Sequence, residues 1–442
     1  MSPGENSPAL PRQPIDRIVE PIQRFLHVEA ASGVVLLACA MVALVLANSG
    51  WADGYLGFWK LEVGFKIGTF EMIHSLKHWI NDGLMAIFFF VVGLEVKREM
   101  VLGELRDPKR AALPLAAAIG GMLVPALVYL ALQSGQPGMR GWGIPMATDI
   151  AFVVGCMAVL GSRVPRVFRV LLLSLAIVDD IGAILVIAIG YTASLNATAL
   201  LLAFVGIAIV FFLGSIGVRS FAVYTGLGAL IWLGFHESGV HATIAGVILG
   251  LMTPVKSYLP THLFGQLLGR AHDLLHGGGW DSMSHRANRL RQLQWATRET
   301  VSPLEYLETL LHPWVGFLIM PVFALANAGV PLKLAEFADP VATAVMAGLV
   351  VGKPLGVMVL SFIVVKLILK ELPEGLSWGV MLAGGFLSGI GFTMALFIAG
   401  LALEGELLNA AKIGIIGGSL LSAIVGMTLL VILLPKTPSD RI

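Results

Sequence analysis

Five side chains in this sequence are of types that do chemistry and stand where such types are rare. Asp179 and Asp180 are adjacent within VFRVLLLSLAIVDDIGAILVIAIGY (167–191), Thr148 and Asp149 lie within ATDIAF (147–152), and Lys353 lies within GLVVGKPLGVMV (348–359). A charged carboxylate at the centre of a bilayer costs roughly 2.5–3.5 kcal/mol on insertion scales, and the default use of such a group is an ion or proton path. Neighbours on a helix point about 100° apart. Asp179 and Asp180 therefore cannot face the same spot: one can line a water-filled funnel while the other meets a second helix. Lys353 reads as the one cation at the membrane centre and as the natural partner of one of the three aspartates, leaving the others uncompensated. Burial and a nearby like charge both favour the neutral carboxyl, so such a group can exchange a proton for a small cation. The competing reading is a buried ion-pair cluster that only fixes helix packing, and three aspartates against one lysine do not balance in its favour. Glu95, in FFFVVGLEVKRE (88–99), stands beside Lys97 and Arg98 near the end of its span, and there an ordinary surface ion pair competes with a functional acid.

The elements that must position these groups are membrane spans. Of 442 residues 57% are hydrophobic and 13% charged, whereas a soluble domain carries about a quarter charged residues. A net charge of +1 argues against a nucleic-acid partner. A crossing helix needs about 20 apolar residues, and twelve segments qualify, near 31–48, 80–100, 111–133, 142–160, 167–191, 197–216, 220–235, 239–254, 308–330, 341–366, 376–402 and 409–434. The seventh and eighth are short. Basic residues mark cytoplasmic loops; they concentrate on the side of the termini, and 97–110 alone holds Lys97, Arg98, Arg106, Lys109 and Arg110, so both termini are expected in the cytoplasm. Two spans are interrupted: GWGIPMATD (141–149) places Pro145 just before Thr148 and Asp149, and GGFLSGIGFT (384–393) has four glycines. Interrupted helices in corresponding places of two halves point to a transporter site built from half-helix ends.

Other segments carry weaker signals. Ile15, Ile18, Val19, Ile22, Phe25 and Leu26 recur at helical spacing within 1–30, which reads as an amphipathic segment on the membrane surface with no cleavable signal. Residues 55–71 are too polar to span and alternate at Leu56, Phe58, Leu61, Val63 and Phe65, which suggests a β-hairpin turning near Gly64 or Gly68, with an edge open to a second copy. Residues 254–305 form a long, partly helical cytoplasmic loop in which His272 and His276 lack the second ligand pair a zinc site would need. Cys39 and Cys156 read as small buried hydrophobes. Walker A and HExxH motifs are absent, as is the GxGD motif of intramembrane aspartyl proteases, the main enzyme alternative.

On these residues the chain resembles the bacterial NhaA family of sodium/proton antiporters. LANSG (46–50), INDGLMAIFF (80–89), VGLEVKRE (92–99), ATDIAF (147–152), AIVDDIGAI (176–184), SGVHATIAGV (238–247), LHPWV (311–315), FALANAGV (323–330), GKPLG (352–356) and SGIGFTM (388–394) carry the resemblance, which runs from about 24 to 434. It implies a cation site formed by Asp180 with Asp179, Thr148 and Asp149 at the crossing of two broken helices (spans 4 and 11), and Lys353 paired with Asp179. It implies electrogenic export of Na⁺ or Li⁺ against proton import, activation at alkaline pH involving Glu95 and Glu308, and dimer contact through the hairpin. LETLLHPW keeps Glu308 and His312 but has Thr309 where the family often has histidine.

The expected protein is an all-α polytopic membrane protein of the bacterial inner membrane. It has twelve transmembrane helices with inverted repeats within 31–434, a short periplasmic β-hairpin at 55–71, and a cytoplasmic tail at 435–442. It is expected to be a transporter rather than an enzyme, with no cofactor; its partners are Na⁺, Li⁺, H⁺, membrane lipid and a second copy of itself. A sodium channel and an intramembrane protease are the competing functions.

Overall fold

The computed structural model describes residues 29–68, 70–192, 195–257 and 299–435, with isolated positions at 263, 265, 266 and 291. The N-terminal amphipathic segment, most of the 254–305 loop with His272 and His276, and the C-terminal tail beyond 435 lie outside the described residues.

Fourteen helices and one hairpin make up the described chain. Helix α1 (Glu29–Ala47) turns by 119° into α2 (Ala52–Trp59). The hairpin follows, β1 (Glu62–Ile67) against β2 (Phe70–Ser75), antiparallel with Ile67 opposite Phe70. The next helices are α3 (Leu76–Val101), α4 (Pro108–Leu132), a 3₁₀ segment (Pro137–Met146), α5 (Ile150–Leu160), α6 (Arg166–Gly190), α7 (Ala197–Ser215), α8 (Phe221–Ser238) and α9 (Thr243–Met252). The chain ends with α10 (Pro303–Asn327), α11 (Pro340–Leu369), α12 (Trp378–Ser388), α13 (Phe392–Ala402) and α14 (Gly405–Leu433).

Among the described residues seven helices are long and apolar enough to cross a membrane, or up to ten spans if each bent pair counts as one. The α9 helix has 10 residues, about 15 Å at 1.5 Å per residue, half of the roughly 30 Å hydrocarbon core. Burial separates central from peripheral helices: the apolar window of α6 is 67% buried and that of α7 11%. Leu201, Leu202, Phe211 and Phe212 of α7 point outward, as lipid-facing side chains do.

The hairpin lies further along the chain than 55–71, with its turn at Gly68. Residues 52–59 are helical instead because Tyr55 and Trp59, four apart, share one helix face: their rings meet edge-on at 6.1 Å, and the Tyr55 hydroxyl donates to the carbonyl of Leu325 on α10. That tertiary anchor outweighs the local alternation. Leu76 N–H donates to Leu61 O at 2.8 Å and Trp79 Nε1 to Val63 O at 2.7 Å, fixing the hairpin to the start of α3.

Two glycines bring α4 and α11 together. Gly120 and Gly356 face each other so closely that a Cβ on either would collide with the other's carbonyl. This approach seats α11, and with it Lys353, against the middle of α4. The largest apolar cluster joins α1, α3, α6, α10 and α13, with the Phe397 ring against both Phe89 and Phe323.

Candidate cation site

The site grows from two helix breaks. A helix end leaves unpaired N–H and C=O groups, and away from water each unpaired group costs several kcal/mol. Here each break satisfies the other. The 3₁₀ segment stops at Met146 and α5 starts at Ile150, with a bend of 42°; α12 stops at Ser388 and α13 starts at Phe392, with a bend of 47°. Between them, Asp149 N–H donates to Ile390 O at 2.7 Å. The Thr148 hydroxyl lies 2.9 Å from Ser388 O, and Thr393 donates its N–H to Asp149 Oδ2 at 3.0 Å and its hydroxyl to the same oxygen. Asp149 also caps α5 through Phe152 N–H at 3.4 Å. Gly389 fits at the break because a Cβ there would lie 2.5 Å from Leu349 O and 2.8 Å from Ser422 Oγ.

Helix α6 passes this crossing with its two aspartates diverging. Asp179 Oδ2 accepts from Lys353 Nζ at 2.6 Å and from the Thr148 hydroxyl at 2.6 Å, while Lys353 Nζ also donates to Met146 O at the end of the 3₁₀ segment. Both members of the ion pair are fully enclosed. The other oxygen, Asp179 Oδ1, is buried without a hydrogen-bond partner. One residue on, Asp180 belongs to a different face. Val170, Leu173, Ile177 and Asp180, spaced three, four and three apart, share a stripe on α6 that lines a cavity of about 1320 Å³. Asp149, Thr148 and Thr393 line the same cavity. It runs from the exposed residues Arg106, Asp107 and Arg110 to the buried Asp180.

Acidic and basic groups frame the open part. Glu95 and Glu99 on α3, four apart and so on one face, line it with Arg98, Ser174, Glu308 and His312. Arg98 pairs with Glu308 of α10, Glu95 Oε1 lies 3.9 Å from His312 Nε2, and Ser174 Oγ donates to Glu99 at 3.2 Å. Glu95 thus faces His312 of α10 from within the cavity, and Arg98 turns to Glu308 of the same helix. The structure brings Thr148, Asp149, Asp179, Asp180 and Lys353 into one cluster. Glu95 of α3 and Glu308 of α10 line the same cavity as Asp180.

Three features escaped the sequence reading. Thr393 stands two residues after Gly391 of the glycine break, and a hydroxyl in that position is the signal that could have revealed it. Glu99 repeats Glu95 at one helical turn. Lys412 is a further buried cation, in the second turn of α14 and 5% exposed. It stands close to the end of a hydrophobic segment, and packing encloses it.

Paired carboxylates at the crossing of two broken helices, at the closed end of a cavity among membrane-length helices, form the kind of site that secondary ion transporters use. The family model described as Na+/H+ antiporter 1 matches residues 23–430. The Na+/H+ antiporter NhaA of Rhodopirellula baltica is 59% identical over 427 residues, 97% of each chain. That of Rhizobium meliloti is 52% identical over 434 residues, 98% of each, and NhaA 2 of Vibrio vulnificus is 46% identical over 422 residues, covering 95% of this chain and 94% of its own. The chain belongs to the Na+/H+ antiporter 1 family and is a multi-pass integral membrane protein.

Proposed function

We propose that the protein is an electrogenic Na⁺(Li⁺)/H⁺ antiporter of the bacterial inner membrane that exports sodium as protons enter. The observation that carries this reading is Asp180: a buried carboxylate at the closed end of a cavity, beside Asp149 and Thr393 and one residue from the Asp179–Lys353 pair. Asp180, with Asp179, holds the cation; Asp149 and Thr148 tie the site to the two breaks; Lys353 balances Asp179 while the cation is absent. Proton and sodium compete for the same carboxylates. Movement of the broken-helix assembly relative to the remaining helices then switches access between the two sides, without ATP and without a resident cofactor.

The architecture that goes with this has twelve spans in inverted repeats: the seven long helices, the two pairs broken near Thr148 and Gly389, and α1, α8 and α9. Both termini lie in the cytoplasm, the cavity opens there, and the hairpin lies in the periplasm, where it joins two copies. Glu95 and Glu308, which line the cavity, regulate entry with pH.

Everted vesicles carrying a respiration-driven proton gradient test the core of the reading. Addition of Na⁺ or Li⁺ is expected to dissipate the gradient for the parent and not for Asp180→Asn. A variant that dissipates it as well as the parent removes Asp180 from the site, and sodium uptake with no proton movement favours a channel instead.

A further inference from the structure

A second polar cluster lies on α3 at the other end from Glu95. His74 of β2, His78 in the first turn of α3 and His236 in the last turn of α8 converge there. Their ring centroids are 4.3 Å (His74–His78), 5.2 Å (His74–His236) and 5.5 Å (His78–His236) apart. One nitrogen of each ring lies within 4.8 Å of those of the other two. Asp82, one turn beyond His78, places Oδ2 3.6 Å from both His78 Nε2 and His236 Nδ1.

Those separations are informative. At 3.6 Å nitrogen and oxygen are too far apart for a hydrogen bond, which needs about 2.7–3.2 Å. Two donors about 2.0–2.2 Å from one tetrahedral ion stand about 3.3–3.6 Å apart. His78 Nε2 is buried and has no hydrogen-bond partner, and such a group calls for an occupant. The surroundings hold the donors in place. The His236 ring lies flat on Trp232 at 5.5 Å and 8°, and Trp232 Nε1 donates to Asp82 O at 3.0 Å. Behind the cluster His241, its Nδ1 2.7 Å from the Thr243 hydroxyl, turns Nε2 to within 3.9 Å of Asp82 Oδ1.

We propose that His74, His78 and His236, with Asp82 beside two of them, form a binding site for a transition-metal dication of the zinc class. Three imidazoles with a fourth position left open are a donor set that such ions take and that Na⁺, which favours oxygen, does not. The site is separate from the cation path: Asp82 and Glu95 are thirteen residues apart on α3, about 20 Å along its axis. The ligands come from the hairpin, α3 and α8, so a bound ion ties the hairpin to the helices beneath it.

The test uses full-length protein in detergent, free of any histidine tag and washed with chelator, titrated with Co²⁺ as a spectroscopic probe and then with Zn²⁺ as a competitor. One equivalent of Co²⁺ is expected to bind with the intense visible absorption of a tetrahedral site and to be displaced by Zn²⁺. His74→Ala and His236→Ala are each expected to weaken binding by on the order of a hundredfold, while the His272→Ala/His276→Ala double variant binds as the parent does. The proposal fails if the parent shows no saturable binding, if His74→Ala and His236→Ala bind as tightly as the parent, or if the double variant abolishes the signal. Should the two single variants misfold, the unaltered protein decides: Zn²⁺ must protect His74 and His236 from diethyl pyrocarbonate, read by peptide mass spectrometry, and equal modification with and without Zn²⁺ overturns the site.

Discussion

Asp179 and Asp180 differ by one position and meet two environments. Asp179 is committed to Lys353 and Thr148, each at 2.6 Å, in a region closed to solvent; Asp180 opens onto the cavity. The cause is the helical period alone, which rotates one carboxylate about 100° from the next. Removing one partner from a buried ion pair leaves a charge without compensation and costs about 3–5 kcal/mol, whereas neutralising both together is often tolerated. Lys353→Ala is therefore expected to lower the melting temperature in detergent markedly, and Lys353→Met with Asp179→Asn to regain much of the loss. If the double variant melts no higher than the single one, the pair is not what holds Lys353 in place. The types and positions of these residues were legible in the sequence. The partnership of Thr393 with Asp149 was not, because 244 residues separate them and only the crossing of the two breaks joins them.

The elements that carry the site are held by absent side chains as much as by present ones. Gly389 sits against the carbonyl of Leu349, and a methyl there meets it at 2.5 Å. Gly400, inside α13, has nothing within 4 Å of the place a Cβ would take. The same substitution should thus act in opposite directions. Gly389→Ala overpacks the break, at a cost of about 1–3 kcal/mol; Gly400→Ala reduces the freedom of the unfolded chain and stabilises by about 0.4–1 kcal/mol. Thermal melts of the two variants in one detergent check this, and a stabilising Gly389→Ala would mean that the break is loosely packed. Hydrophobic periodicity and length located the helices well, since burial in lipid imposes both. They located the hairpin less well: Tyr55 and Trp59 are helical because of a contact with α10, and alternation over a few residues cannot register a contact so distant in sequence.

At the scale of the whole molecule, the cavity connects the exposed Arg106, Asp107 and Arg110 with the buried Asp180. If a proton and a sodium ion contend for this one site, the apparent KM for Na⁺ in the vesicle assay should rise as pH falls, by about tenfold per unit once protonation dominates. The sign follows from competition: more protons leave fewer vacant carboxylates. A KM independent of pH, with only the maximal rate changing, would separate proton binding from the cation site. The hairpin supplies a second test. The sheet has two strands, and an outer β-edge can pair with another copy, so deletion of 62–75 is expected to convert dimers to monomers by light scattering in detergent while exchange persists. Dimers that survive the deletion would place the contact elsewhere, for example on the exposed apolar face of α7.

The sequence by itself determined that this chain lives in a membrane, that its buried charges do not balance, and that two spans are broken beside them. Those properties follow from composition and from spacing within single segments, where hydropathy and helical period act locally. Which aspartate meets Lys353, how one helix break satisfies the other, that Lys412 is enclosed, and that His74, His78 and His236 converge on Asp82 were decided by tertiary structure. Each depends on side chains far apart in the chain sharing a space from which water is excluded, and there polar groups must find one another because nothing else can satisfy them.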